Sequence, residues 1–175
     1  MAKNNYYFKI YSDLLYDLLS RYRDKIEVPS LKQVIRCLIR EAINHATDLP
    51  GHDNKLGASM VSEEALELIK KHHGDNKALK GLLVGEHLVP ISVVNKLVLK
   101  NLPLDHQHEL EKILKTFTNR AVITKKEHDK LNYNGLNKNM PEDWDGKNEK
   151  ARYEKVDIAL NEISYKKVLK EAKIN

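Results

Sequence analysis

Apolar positions recur at helical spacing over most of the chain. Tyr7, Ile10, Tyr11, Leu14, Leu15, Leu18, Leu19 and Tyr22 fall three or four apart and predict a first helix over about Tyr6 to Lys25. Its rings lie among the leucines and are read as packing groups. Pro29-Ser30 breaks the pattern, and Ser30 offers an N-cap for a second helix running to about Thr47. The buried side of that helix would be Leu31, Val34, Ile35, Leu38, Ile39 and Ala42. Pro50-Gly51, Asp53-Asn54 and Gly57 make Leu49 to Ser59 a loop.

Ser62-Glu63-Glu64 opens a third helix, its acids suited to the positive end of the helix dipole, and Gly74-Asp75-Asn76 ends it. Ala65, Leu66, Leu68 and Ile69 face inward. A short apolar run, Leu82-Leu83-Val84, leads into Gly85-Glu86-His87. Val93, Val94, Leu97 and Val98 then predict a buried helix over Ile91 to Lys100, stopped by Pro103. Leu110, Ile113, Leu114 and Phe117 predict another over Asp105 to Thr116.

At Ala121 the period changes. Ala121-Val122-Ile123-Thr124 is strand-like, and Thr124 with Glu127 three residues on forms a capping box for a new helix. Asn134-Gly135, Asn137, Asn139, Pro141 and Asp145-Gly146 read as a long polar surface loop. Tyr153, Val156, Ile158, Leu160, Ile163, Val168 and Leu169 predict a last helix over about Glu149 to Lys173. The sum is an α+β chain, mainly α-helical, without internal repeats.

Composition narrows the function classes. With 41% hydrophobic and 31% charged residues among 175, the chain suits a globular protein with a sizeable core. No apolar run approaches a membrane span, and the first residues lack a signal peptide's apolar centre. Cys37 is the only cysteine, which excludes an intrachain disulfide and a Cys-based zinc knuckle. Together these lead to the expectation of a cytoplasmic protein with no membrane partner. The net charge of +5 is mild and spread along the chain; it permits a polyanionic partner without demanding one.

The candidate chemistry lies between Gly85 and Asn132. Glu86-His87 is an acid–histidine pair, Asn119 stands alone, and His128 is followed four residues on by Asn132. Hydrolysing a phosphodiester takes a base for the attacking water and a cation for the phosphate and its leaving oxygen. Histidine, carboxylate and amide side chains are the parts of a one-metal site for that reaction.

These residues resemble the His-Asn-His (HNH) nuclease motif, closest in pattern to its nuclease-colicin form. The similarity covers about 48 residues, with 91–118 unmatched. It implies a ββα-metal unit inside a helical body, with 91–118 as a helical insertion between the two strands. It further implies Glu86, His128 and Asn132 as metal ligands, His87 as general base, and Asn119 as the residue holding that base in register. The spacing of nine from Asn119 to His128 is what the colicin pattern calls for. The departures are the 31 residues between His87 and Asn119, Glu as first ligand, and Asn132 where colicins carry His. An oxygen-rich Glu/His/Asn set favours one divalent ion, Mg²⁺ or Mn²⁺ ahead of Zn²⁺.

On this expectation the protein is a metal-dependent DNA endonuclease, RNA being equally compatible with the motif. A restriction enzyme, a phage nuclease and a toxin domain all carry such a site. A restriction enzyme would act as a homodimer, and Met1 with the helices after it favours a stand-alone protein. Arg120 is a candidate phosphate fork, and Lys125, Lys126 and Lys130 are candidate backbone contacts around the metal helix. His72-His73 reads as a polar helix end, and His106 with His108 as solvent-facing. Trp144 and Tyr153, with Arg152 between them, are candidates for an arm that clamps DNA, packing of the tail onto the body being the favoured reading for the two rings. The organisation expected is a helical region over 1–80, the nuclease core over 81–133, and a polar loop with a helix over 134–175. The competing expectation is a non-catalytic helical module that binds nucleic acid or protein.

Overall fold

The computed structural model describes residues 3–45, 55–103 and 106–173. Ala46 and Thr47 of the second predicted helix, Leu49 to Asn54 of the predicted loop and Asp105 lie outside them. In chain order the elements are α1 (Lys3–Arg21), α2 (Pro29–His45), β1 (Met60–Ser62), α3 (Glu63–Lys71), β2 (Leu83–His87), α4 (Ile91–Lys100), α5 (Gln107–Thr116), β3 (Arg120–Thr124), α6 (Lys125–Tyr133), α7 (Ala151–Glu154), β4 (Leu160–Asn161) and α8 (Tyr165–Ala172). A single 3-10 turn, Arg23–Lys25, follows α1. None of the described helices is long and apolar enough to cross a membrane.

The chain forms two compact units, one from 1–50 and 91–118, the other from 51–90 and 119–175. The boundaries expected at 80/81 and 133/134 do not coincide with this division. The reason is a sheet that recruits one strand from before the expected core and one from after it.

The helical unit consists of α1, α2, α4 and α5. Helix α1 lies against α2 and α5, and α2 against α4. Among the described side chains of α1, Phe8, Ser12, Leu15 and Leu19 are buried, spaced as one helical face. The eight-residue stripe seen in the sequence covers roughly half the helix circumference, wider than the face a neighbouring helix covers. Leu14 and Tyr22 are therefore left 51% and 47% exposed. In α2 the buried set is Ile35, Ile39, Ala42 and Ile43, and Val34 is 46% exposed for the same reason. Pro29 begins α2, where its missing N–H costs nothing.

The sheet unit holds four short strands in the order β2-β3-β1-β4. Strands β2 and β3 pair antiparallel, β1 and β3 parallel, and β1 and β4 antiparallel. Both parallel strands run directly into helices. Ser62 caps α3 by accepting from Ala65 N at 3.2 Å, and Thr124 caps α6 by accepting from Glu127 N at 3.1 Å. The two caps share one buried carboxylate: Glu127 Oε2 accepts from Thr124 N at 2.7 Å, Thr124 Oγ1 at 3.0 Å and Ser62 Oγ at 2.6 Å.

Alternation along the strands divides the core in two. Val84, Ala121 and Ile123 face a cluster with Leu131, Leu136, Tyr153, Val156 and Ile158, while Leu83 and Val122 face one with Ala65, Ile69, Val168 and Leu169. Helices thus cover both faces.

The long terminal helix is absent. Its stripe is divided among α7, β4 and α8, with Asp157 at φ 51° turning the chain after α7. Tyr153, Val156 and Ile158 pack on one face of the sheet and Val168 and Leu169 on the other. A single helix could not serve both.

Candidate metal and phosphate site

The antiparallel register sets Glu86 opposite Ala121 and His87 opposite Arg120. Neighbouring residues on a strand point to opposite faces, so Glu86 turns toward α6 and His87 turns away from it. His128 lies in the first turns of α6, and the capping box at Thr124 sets where that helix starts. Glu86 Oε1 comes within 2.9 Å of His128 Nδ1, the two side chains being 20% and 24% exposed. Their approach does not follow a hydrogen-bond direction, and Nδ1 is buried without a hydrogen-bond partner.

The second oxygen of Glu86 is held from behind. Arg152, on α7, is fully buried and directs Nη2 to Glu86 Oε2 at 3.2 Å. The same guanidinium donates from Nε to Leu88 O at 2.9 Å, from Nη1 to Leu136 O at 2.9 Å, and from Nη2 to His87 O. Nη2 also lies 3.0 Å from Tyr153 Oη. Burial pushes the Tyr153 hydroxyl well above the usual phenol range, so it stays protonated.

On the other face, Arg120 Nε donates to His87 Nε2 at 3.2 Å. In the neutral ring that bond leaves the proton on Nδ1. Arg120 is only 4% exposed, and burial lowers its pKa. It is not presented to solvent as the phosphate fork expected from sequence. Asn119 passes its backbone carbonyl to Leu88 N at 2.9 Å. Its side chain accepts from Ser59 Oγ at 3.3 Å and bonds to Glu149. Burial raises the Glu149 carboxyl pKa, the bond from Asn119 opposing it, and Glu149 Oε2 is buried without a hydrogen-bond partner.

The remaining sequence candidates lie along the exposed side of α6. Asn132 is exposed and bonds to Asp129, whose carboxyl is held below the usual range chiefly by Lys125. Lys126 pairs with Glu64 at 3.5 Å, and Lys130 is exposed. Exposed pairs of this kind contribute about 0–1 kcal/mol and exchange readily for other anions. His106 and His108 stack on each other at 5.5 Å in the helical unit, His106 at the start of α5.

Of the residues expected to act together, the fold brings Glu86 and His128 into contact. His87 is paired with Arg120, and the Asn119 side chain with Ser59 and Glu149. Among the described residues no group of three or more His, Cys, Asp or Glu is placed to hold a metal. A Glu–His pair does not suit a structural zinc site, which takes four protein ligands. It does suit Mg²⁺ or Mn²⁺, which keep several waters and share their sphere with substrate phosphate. The unbonded His128 Nδ1 beside Glu86 Oε1 is the observation that favours that fit.

No family model, curated protein or solved structure matches the chain. Arg152, Ser59 and Glu149 belong to this region without a sequence motif that marks them. Only Arg152 left a trace: an arginine beside Tyr153, among residues whose spacing marks them as core.

Proposed function

We propose that the sheet unit carries a ββα-metal site of the His-Asn-His kind and that the protein is a metal-dependent endonuclease acting on DNA. One observation carries this. An antiparallel strand pair followed directly by a capped helix brings Glu86 Oε1 to within 2.9 Å of His128 Nδ1, with His87 the next residue on the strand.

Glu86 and His128 are the side chains that would hold a Mg²⁺ or Mn²⁺ ion, and Asn132, one turn further along α6, is the third candidate. Bound there, the ion supplies positive charge to the phosphate and to its leaving oxygen. His87 is the general base. It lies on the opposite face from Glu86, but β2 is an outer strand of the sheet. On this reading the phosphate sits at the outer edge of β2, between the two faces. Proton abstraction by His87 takes place at Nε2, so Arg120 must first release that nitrogen. Asn119 steadies the end of β2 through its carbonyl bond to Leu88 N. Lys125, Lys126 and Lys130 form the basic side of α6 and meet the nucleic-acid backbone.

The test is plasmid cleavage with Mn²⁺ by Glu86→Gln, His128→Ala and Lys126→Ala. The first two lose cleavage entirely, and Lys126→Ala keeps it with weaker DNA binding and a shallower dependence on salt. Full activity in either ligand variant contradicts the proposal.

A second reading, a non-catalytic nucleic-acid-binding module, is favoured by one feature: Arg152 and Arg120 already give Glu86 and His87 protein partners. On that reading nucleic-acid binding is indifferent to metal and falls steeply with salt.

A further inference from the structure

Arg152 has a place in this site that its position in the chain does not suggest. It is a fully buried cation whose partners come from three separated segments: Glu86, His87 and Leu88 at the end of β2, Leu136 after α6, and Tyr153 beside it on α7. A buried guanidinium is costly unless its donors are satisfied and its charge is offset. Here three carbonyls and one carboxylate oxygen do both. The geometry of that carboxylate is the consequence that matters, because one oxygen is anchored and the other faces His128.

We propose that Arg152 is a positioning residue for the cation site: by holding Glu86 Oε2 it presents Glu86 to the ion through Oε1 alone, at the distance His128 requires. This rests on the metal-dependent reading above. Two effects of the guanidinium compete. Its charge opposes a second cation at the same carboxylate, and its fixed fork removes the rotational freedom that Glu86 would otherwise lose on binding. The three carbonyls disperse the charge, whereas among the described residues Arg152 is the one hydrogen-bonded to Glu86 Oε2. Positioning therefore wins. Residues that orient a ligand in this way typically change metal affinity by about 10–100-fold when altered.

Arg152→Lys keeps the charge and loses the planar fork. Mn²⁺ affinity is measured by calorimetry on the full-length wild type, on Arg152→Lys, and on Val156→Ala, which loosens the same apolar cluster. Thermal unfolding in EDTA reports how far each variant is destabilised. The expected result is Mn²⁺ binding at least about tenfold weaker in Arg152→Lys and within about twofold of wild type in Val156→Ala. A folded Arg152→Lys that binds Mn²⁺ as tightly as wild type, or more tightly, overturns the proposal.

Should Arg152→Lys fail to fold, wild-type crystals soaked in Mn²⁺ decide. Glu86 on the ion through one oxygen, with the other still on Arg152, supports the assignment. Chelation by both oxygens overturns it. Wild-type protein that binds no Mn²⁺ overturns the metal-dependent reading itself, a failure seen without any Arg152 variant.

Discussion

The helical unit and the sheet unit bury different kinds of side chain. Among the described residues of the helical unit the buried polar side chains are Ser12 and Asn95, both uncharged, within a core of Phe, Leu, Ile, Val and Ala. In the sheet unit they are Ser62, Arg120, Thr124, Glu127 and Arg152, three of them charged. Burying a charge costs several kcal/mol unless it is paired and hydrogen-bonded, and an apolar replacement usually packs as well or better. Glu127 serves folding directly, as the shared acceptor of two helix caps. Arg120 and Arg152 differ from it, because their donors go to His87 and Glu86 at the end of β2.

The largest test of that contrast is Arg152→Met. It leaves Glu86 and three carbonyls without their donor, and stability in urea should fall by about 3–5 kcal/mol. A fall below about 1 kcal/mol would mean that the buried cation is not integral to the sheet unit. In the helical unit, Leu15→Ala should cost about 2–5 kcal/mol by leaving a cavity, yet leave Mn²⁺ affinity where it was. Equal damage to metal binding from Leu15→Ala would erase the distinction between the units.

Glu127→Ala should cost about 1–3 kcal/mol, since Ser62 Oγ, Thr124 N and Thr124 Oγ1 all lose their acceptor. The smallest effect is expected at Glu149. Its carboxyl pKa is raised by burial, so the folded state favours the protonated form. Stability contributed by that group is present below the ordinary carboxyl value and is lost as pH rises through the raised one. Glu149→Gln should therefore raise the melting temperature at pH 7, and the gain should vanish in acid. A gain that is independent of pH would assign the effect to something other than charge.

What was legible in the sequence was local. The Thr124–Glu127 capping box needs four residues and is formed, and α4 spans Ile91 to Lys100 as its apolar spacing requires. The start of α3 is equally local, with Ser62 accepting from Ala65 N as a simple N-cap. What was not legible depends on partners far along the chain. Strands β1 and β4 are three and two residues long, too short to show alternation, and exist because β3 pairs with one and that one with the other. Arg152 reaches Glu86 across 66 positions, a contact no spacing rule contains. At the tail, Tyr153, Val156 and Ile158 satisfied a helical period while serving a short helix and a turn. For the candidate site, residue types were readable but directions were not. The pleat sends Glu86 and His87 to opposite faces, and Arg120 turned inward to His87.

The most direct test of the central claim is cleavage of supercoiled plasmid by the wild type and by His87→Ala, with Mg²⁺, Mn²⁺, Zn²⁺ or EDTA, both proteins checked for folding by circular dichroism. The expected result is nicking or linearisation that requires Mg²⁺ or Mn²⁺, stops in EDTA, and disappears in a folded His87→Ala variant that still binds DNA. Cleavage by folded wild-type protein under none of these conditions, or equal cleavage by His87→Ala, would contradict it.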